Sequence, residues 1–121
     1  AVVMGLKGAG TPVIGDTQAS HGSWNEVGLA NAPTYSGNRK TPTFSAAAYV
    51  SGTTCTKSTS SASTFAITST GTVAGCFINI GGSATKDDTT GTLFSAGDFT
   101  AGSKTVTSGD TLNVTYSATA A

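Results

Sequence analysis

Apolar and polar residues alternate in several short segments of this chain, which is typical of β-strands with one buried face. The alternation is clearest in residues 64–68 and 111–117. Clusters of Gly, Ser, Thr and Asp separate such segments and mark turns. Because short alternating strands with frequent turns build sandwiches, the pattern predicts an all-β fold, an immunoglobulin-like or jelly-roll β-sandwich.

Three further segments add to this prediction. Residues 73–80 form the most apolar run of the chain and predict a central strand. Residues 103–107 and 111–117 flank a Ser-Gly-Asp turn and predict a β-hairpin. No segment repeats apolar residues at helical spacing over three turns, and a helix near residues 45–50 has only weak support.

The core predicted from these strands is small. Its members are the large apolar residues that share the inward face of each strand, with the alternation deciding between neighbours in the central strand. We expect mutual packing of Phe65, Ile67, Phe77, Ile78 or Ile80, Leu112, Val114 and Tyr116.

Residues 1–40 differ from the remainder, residues 41–121, which we predict to form the sandwich domain. The first forty residues hold the only Trp, His and Arg, and their apolar residues are scattered. Such a segment predicts an extended N-terminal arm or edge strands, ordered by neighbouring subunits rather than by its own core. The predicted interface residues are its apolar ones: Val2, Val3, Met4, Leu6 and Trp24.

Composition limits what the protein can do. Thr, Ser, Gly and Ala make up more than half of the 121 residues, so few large apolar side chains are left for a core. Six basic residues balance six acidic ones, which gives no basic patch for nucleic acid. No run of about 18 apolar residues exists, so we expect no membrane span.

The sequence offers little catalytic or metal-binding chemistry. Ser23, His21 and Glu26 are the residue types of a hydrolytic triad, but a local cluster does not create triad geometry, and a polar loop anchored by Trp24 is the simpler interpretation. Asp87 and Asp88, with Asp98 or Asp110, are candidate calcium ligands, but their spacing does not match that of an EF-hand loop, and solvated loop acids are the simpler interpretation. We therefore predict no enzymatic activity, no cofactor and no metal site.

Two cysteines leave one question open. Cys55 and Cys76 are too isolated for a zinc site. A disulfide between neighbouring strands would stabilise a thin core by roughly 3 kcal/mol. Cys76 lies in an apolar run where a buried free thiol fits equally well, and we favour the reduced form.

Segments 15–28, 71–78, 90–99 and 109–120 together resemble small structural proteins of tailed bacteriophages. The resemblance covers most of the chain but rests on strand-and-turn patterns that many fibres and sandwiches share. It implies a virion component with an immunoglobulin-like or jelly-roll β domain, made in the bacterial host cytoplasm and placed on the outer capsid surface.

The functional hypothesis that follows is a non-enzymatic capsid decoration (cement) protein. Its partners would be the major capsid protein and identical copies of itself in a homo-oligomer, with no nucleic acid and no membrane. A tail-associated or fibre protein that contributes to host attachment is the first alternative. A carbohydrate-binding module is the second, although such modules need several exposed aromatic rings and this chain has one Trp and three Tyr.

Overall fold

A computed structural model describes residues 1–52 and 54–120. It is all-β in the described part, with every strand pairing antiparallel and no helix. The strands, in chain order, are β1 (Val2–Gly10), β2 (Trp24–Val27), β3 (Ala48–Ser51), β4 (Thr54–Ser58), β5 (Ser63–Ala66), β6 (Gly71–Val73), β7 (Gly75–Ile80), β8 (Thr92–Asp98), β9 (Lys104–Val106), β10 (Thr111–Val114) and β11 (Ser117–Ala120).

The largest sheet has four strands in the order β2-β1-β7-β8. Two smaller sheets, β10-β5 and β6-β9, pack their apolar residues against one face of it. A third small sheet, in the order β11-β4-β3, differs because none of its described side chains is buried. The prediction of an all-β fold is therefore confirmed, as several small antiparallel sheets around one larger sheet.

The apolar core lies between the four-stranded sheet and the smaller sheets. Met4 and Leu6 on β1 lie opposite Ile78 and Cys76 on β7, so their side chains share the core face. Tyr35 packs edge-on against Phe65 with ring centroids 4.9 Å apart. The buried members of the core are Met4, Leu6, Val27, Tyr35, Phe65, Ile67, Val73, Ile78, Val106 and Val114.

The predicted core is confirmed in large part. Phe65, Ile67, Ile78 and Val114 are buried, and Leu112 and Tyr116 pack against them at partial burial. The alternation of β7 selects Ile78 for the core, because Phe77 is fully buried on the opposite face of the sheet and Ile80 stays 41% exposed.

The first forty residues form no separate arm in the structure. β1 lies inside the four-stranded sheet, between β2 and β7, where both of its edges are hydrogen-bonded. Of the two strands in residues 1–40, β2 is an edge strand, as the alternative prediction of edge strands allows, and β1 is not. Lys40 also exchanges backbone hydrogen bonds with Met4, so the predicted boundary between residues 1–40 and 41–121 is attached to the centre of the sheet. The expectation of an extended arm is corrected because its scattered apolar residues belong to this central strand.

Two local predictions also need correction. The turn between residues 107 and 110 exists, but β9 pairs with β6 and β10 with β5, so the flanking strands form no hairpin. The turn backbone bonds to Ile67 instead, at the end of β5, which directs the two strands into different sheets. The segment considered as a weak helix contains strand β3.

Candidate functional site

The second face of the four-stranded sheet carries a buried polar cluster. Gly5, Phe77 and Lys7 belong to this face, which is covered by the loops on either side of β2 and by the loop between β7 and β8. The Phe77 ring occupies the space where a side chain at position 5 would stand, so only Gly allows it to lie across β1. Sequence alternation alone gave no sign that this second face is covered.

An ion pair between Glu26 and Arg39 forms the centre of this cluster. The Arg39 guanidinium donates to Glu26 from Nε (2.9 Å to Oε2) and from Nη2 (2.6 Å to Oε1). The Glu26 side chain is 4% exposed and the Arg39 side chain is 0% exposed. The guanidinium carbon lies 5.2 Å from the Phe77 ring centroid, so the pair is enclosed by an aromatic face as well.

The same ion pair fastens the loop between β7 and β8. Arg39 donates from Nη1 to the Ser83 carbonyl (3.0 Å) and from Nη2 to the Asp88 carbonyl (2.8 Å). The Asp87 amide donates to Glu26 Oε1 at 3.1 Å. Burial alone would lower the pKa of Arg39, but the hydrogen bonds and charge of Glu26 outweigh it and raise that pKa. Every oxygen and nitrogen of the pair is thus committed to holding loops.

His21 and Trp24 form a stacked pair beside this cluster. Their ring centroids are 4.0 Å apart at 17°, and His21 Nδ1 lies 3.1 Å from the Trp24 carbonyl. The indole donates to Asp16 Oδ2 at 3.1 Å and packs against Phe77. Trp24 is 4% exposed and therefore presents no ring face to a sugar. Its role in the structure is to join β2 to the preceding loop.

The candidate triad is not assembled. Ser23 is exposed, the contact of His21 Nδ1 is with a backbone carbonyl, and Glu26 is bound to Arg39. The three residues therefore lack the hydroxyl–imidazole–carboxylate chain that nucleophilic catalysis requires.

Each of the four candidate calcium ligands has its own hydrogen-bond partner. Asp87 accepts from the Ala30 amide (3.0 Å), Asp98 pairs with Lys7 (2.7 Å), and Asp110 caps its turn at the Thr107 amide (2.8 Å). Asp88 accepts from the side chain and amide of Thr90, and these bonds lower the pKa of its carboxyl. In residues 1–52 and 54–120, no three His, Cys, Asp or Glu side chains are grouped as a metal site requires.

Lys7 is a buried charged residue that the sequence analysis did not select as a candidate site residue. Its side chain is completely buried, and Nζ donates to the carbonyls of Gly8 and Gly10 and to Asp98. Three donors meet three acceptors, so the ammonium is fully satisfied. Lys7 consequently joins the end of β1 to the edge strand β8 rather than serving as a reactive amine.

The predicted interface residues are core residues of their own chain. Val3, Met4, Leu6 and Trp24 are at most 4% exposed, and Val2 is partly buried against the same core. Side chains enclosed in this way offer no surface to a neighbouring subunit unless the sheet unfolds. The interpretation of these five residues as an interface is corrected: they are apolar because β1 and β2 need a buried face.

The exposed large apolar residues lie elsewhere. Val13, Ile14 and Leu29 stand on loops, Tyr49 and Phe94 stand on strands, and Ile80 lies at the end of β7. None of them was among the predicted contact residues. Ile80 was instead one of the two alternatives for the core position on β7.

Two grooves open on the surface of the described residues. One, of about 430 Å³, lies over the polar cluster and is lined by Gln18, His21, Asn31 and neighbouring loop residues. The other, of about 570 Å³, lies where the four-stranded sheet meets β10 and β11. The walls of the second include Cys76, Phe99, Leu112 and Tyr116, which makes it the more apolar site.

Both cysteines are free thiols on strands of different sheets. Cys55 is exposed on β4, and Cys76 is half-buried on β7. Burial raises the pKa of the Cys76 thiol to about 11, so that side chain is a neutral, apolar wall of the larger groove.

Comparison with protein-family models, curated proteins and solved structures gives no match for this chain. Within the described ranges, no helix has the length and apolarity to cross a membrane. Any assignment of function therefore depends on the surfaces described above.

Proposed function

We propose that this protein is a non-enzymatic structural component of a phage virion, which decorates and stabilises the outer surface of the capsid. Its partners in this role are the major capsid protein and identical copies of itself. The family resemblance of the sequence supplies the virion context, and the surface chemistry of the chain agrees with it.

One observation carries the proposal: large apolar side chains are exposed on ordered elements while the core itself is thin. Tyr49 is 74% exposed on β3 and Phe94 is 57% exposed on β8. A small chain gains more by burying such residues against a partner than by leaving them in water. The buried charged groups Glu26 and Arg39, by contrast, are engaged in holding loops.

The sheet β11-β4-β3 supports the same role. A three-stranded sheet normally needs one buried face to be stable, and this one has no buried side chain among its described residues. Packing against a shell or a second copy would supply that burial. We interpret the fold as a β-sandwich of immunoglobulin-like or jelly-roll type that is completed by neighbouring subunits. The two layers of sheets around one core support this interpretation.

The proposal is tested by adding the purified chain to undecorated capsids and measuring co-sedimentation. We expect saturable binding and on the order of hundreds of copies per particle, as a shell of repeated symmetric units requires. The double variant Tyr49→Ser/Phe94→Ser should bind at least about tenfold more weakly because it loses its apolar contacts. Thr72→Ala, at an exposed position on β6, is the matched control and should bind as wild type does.

Two results would contradict the proposal. Unchanged binding of the double variant would show that the exposed aromatic residues are not the contact. No capsid binding, together with about a dozen or fewer copies per virion, would favour the tail-associated alternative, since tails have low rotational symmetry.

A further inference from the structure

The loop between β1 and β2 holds two apolar side chains in solvent. Val13 is 57% exposed and Ile14 is fully exposed. The loop is fixed nonetheless: Asp16 Oδ2 accepts from the Val13 amide at 2.8 Å, and the Asp16 amide donates back to the Val13 carbonyl at 3.1 Å. We call residues 13–16 the Val13–Ile14 turn.

The turn is anchored to the edge of the four-stranded sheet. The same Asp16 oxygen accepts the indole N–H of Trp24 at 3.1 Å, and Trp24 begins β2. Gly15 adopts a φ of 97°, a conformation that few other residues take, which points the turn outward. Nothing in the turn's own chain covers Ile14, so its exposure is built into the loop geometry.

The larger groove lies at the other edge of that sheet. Its walls come from β8, whose outer edge has no strand partner, and from β10 and the segment that leads into β11. Phe99, Leu112 and Tyr116 supply apolar surface, and small hydroxyl residues such as Ser95 and Ser117 surround it. We call this opening the β8 groove.

The two features lie on opposite edges of the sheet, because β2 and β8 are its outermost strands. A fixed turn at β2 is therefore unable to fill a groove at β8 in its own chain. We propose that the Val13–Ile14 turn of one copy docks in the β8 groove of a second copy, so that subunits associate head to tail. This inference deepens the proposed function, because it names the contact between copies.

The properties of the chain favour a second copy of itself as the occupant of the β8 groove. The chain itself provides one apolar projection and one apolar recess, and each copy would offer one of each. The chain carries no net charge, so copies do not repel one another over long distances. The charged residues at the groove, Asp98 and Lys104, are opposite in sign, and Asp98 is already paired with Lys7. An apolar turn without net charge fits such a recess.

Head-to-tail docking makes a specific demand on assembly. Because the two contact surfaces differ, the interface is heterologous and leads to rings or open chains rather than to a closed two-fold dimer. Ile14 would be the central buried contact, and the hydroxyl residues would form a solvated rim. A protein that covers a shell in many copies needs repeating contacts of this kind.

The test uses the full chain in solution, without capsids, and measures mass against concentration by sedimentation velocity. Wild type should form larger species as concentration rises. Ile14→Asp removes the projection, and Ser117→Tyr fills the groove from an exposed position. Each variant should associate at least about tenfold more weakly than wild type. Leu29→Asp alters an exposed leucine outside both surfaces and should associate as wild type does.

Mixing the two variants gives the decisive result. An Ile14→Asp copy keeps its groove and a Ser117→Tyr copy keeps its turn, so an equal mixture should form dimers and nothing larger. Unchanged urea midpoints for each variant establish that both are folded. Wild type that stays monomeric at the highest concentration, or Ile14→Asp that associates normally, would overturn the proposal.

Capsid binding separates this inference from the proposed function. If the two variants remain monomeric and still bind capsids, the turn and the groove serve contacts between copies only. The proposed capsid-decoration function then stands, with its capsid contact on another surface. If wild type is monomeric but Ser117→Tyr loses capsid binding, the groove belongs to the capsid protein and the self-association proposal is wrong.

Discussion

Replacing Glu26 by Gln tests whether the buried ion pair holds the loops over the second sheet face. The substitution keeps the shape of the side chain and removes its charge. Arg39 then keeps its bonds to the Ser83 and Asp88 carbonyls but loses a carboxylate that receives two of its N–H groups. Water is unable to replace that carboxylate because the Arg39 side chain is fully buried.

The expected cost follows from this burial. Removing one partner of a buried ion pair typically destabilises a protein by about 3–5 kcal/mol. That is a large share of the roughly 5–15 kcal/mol by which a small domain is stable. With an m-value of about 1–3 kcal/mol/M in urea, a loss of about 3 kcal/mol moves the unfolding midpoint by about 1–3 M. The effect is therefore measurable even in a marginally stable chain.

Urea unfolding followed by tryptophan fluorescence provides the assay. Trp24 is the only tryptophan and lies against Phe77, on which the guanidinium also stacks. In a double-mutant cycle, the combined variant Glu26→Gln/Arg39→Met should be more stable than the sum of the single losses by about 1–3 kcal/mol. Lys104→Met, which changes an exposed charge, is the control and should cost less than about 0.5 kcal/mol.

Either of two outcomes would refute this reasoning. A loss below about 1 kcal/mol for Glu26→Gln would mean that the pair is solvated rather than buried. Additive single losses would mean that the two residues stabilise separate parts of the chain.

Two further predictions concern single positions. Gly5→Ala should lower the free energy of unfolding by about 1–3 kcal/mol, because the new methyl group overlaps the Phe77 ring. Gly22→Ala, in open space, is its control in the same urea titration, and equal midpoints would show that the ring moves aside freely. For the thiols, iodoacetamide at pH 8 should label exposed Cys55 and leave Cys76 unlabelled, because burial raises the pKa of the Cys76 thiol to about 11. Mass spectrometry of the labelled chain checks this. In a Cys55→Ser chain, stability should fall as pH rises from 9 to about 11, because the Cys76 thiol loses its proton there in the unfolded state and keeps it in the folded state. The fall should be larger than in a Cys55→Ser/Cys76→Ala chain, where buried Tyr35, whose pKa is also raised, still contributes, and equal profiles would contradict the burial of Cys76.

Strand faces were predictable where one side of a strand is apolar and the other polar. Phe65 and Ile67 illustrate this, because smaller or polar neighbours separate them and both prove buried. β1 shows the limit of this signal. Its residues from Val3 to Gly8 are all buried, so no alternation appears, and the segment resembled a collection of unrelated apolar residues.

Strand partners were less predictable than the strands themselves. The turn closed by Asp110 has an ordinary hairpin sequence, and it does form. Its flanking strands pair instead with β6 and β5, both distant in sequence, and Val106 and Val114 are buried in those pairings. Burial gained through long-range contacts outweighs local turn preference here, and no local pattern encodes that balance.

The only sequence signal for the buried ion pair is that each of its residue types occurs once in the chain. Arg39 is the only Arg and Glu26 the only Glu, and both lie in the segment that was interpreted as an arm. A unique pair of opposite charges in a chain so poor in charge is a signal for a buried ion pair. The loops that enclose the pair are brought together by the sheet, which the sequence does not reveal directly.

The position of β1 has a consequence for how the chain is made. Its central pairing partner, β7, lies about seventy residues later, so a nascent chain emerging from the ribosome exposes an apolar first strand until β7 has been synthesised. Closing so long a loop before this sheet forms makes folding slow. During that interval β1 is the segment most exposed to aggregation and to capture by chaperones, and high-level expression should benefit from slower translation or lower temperature.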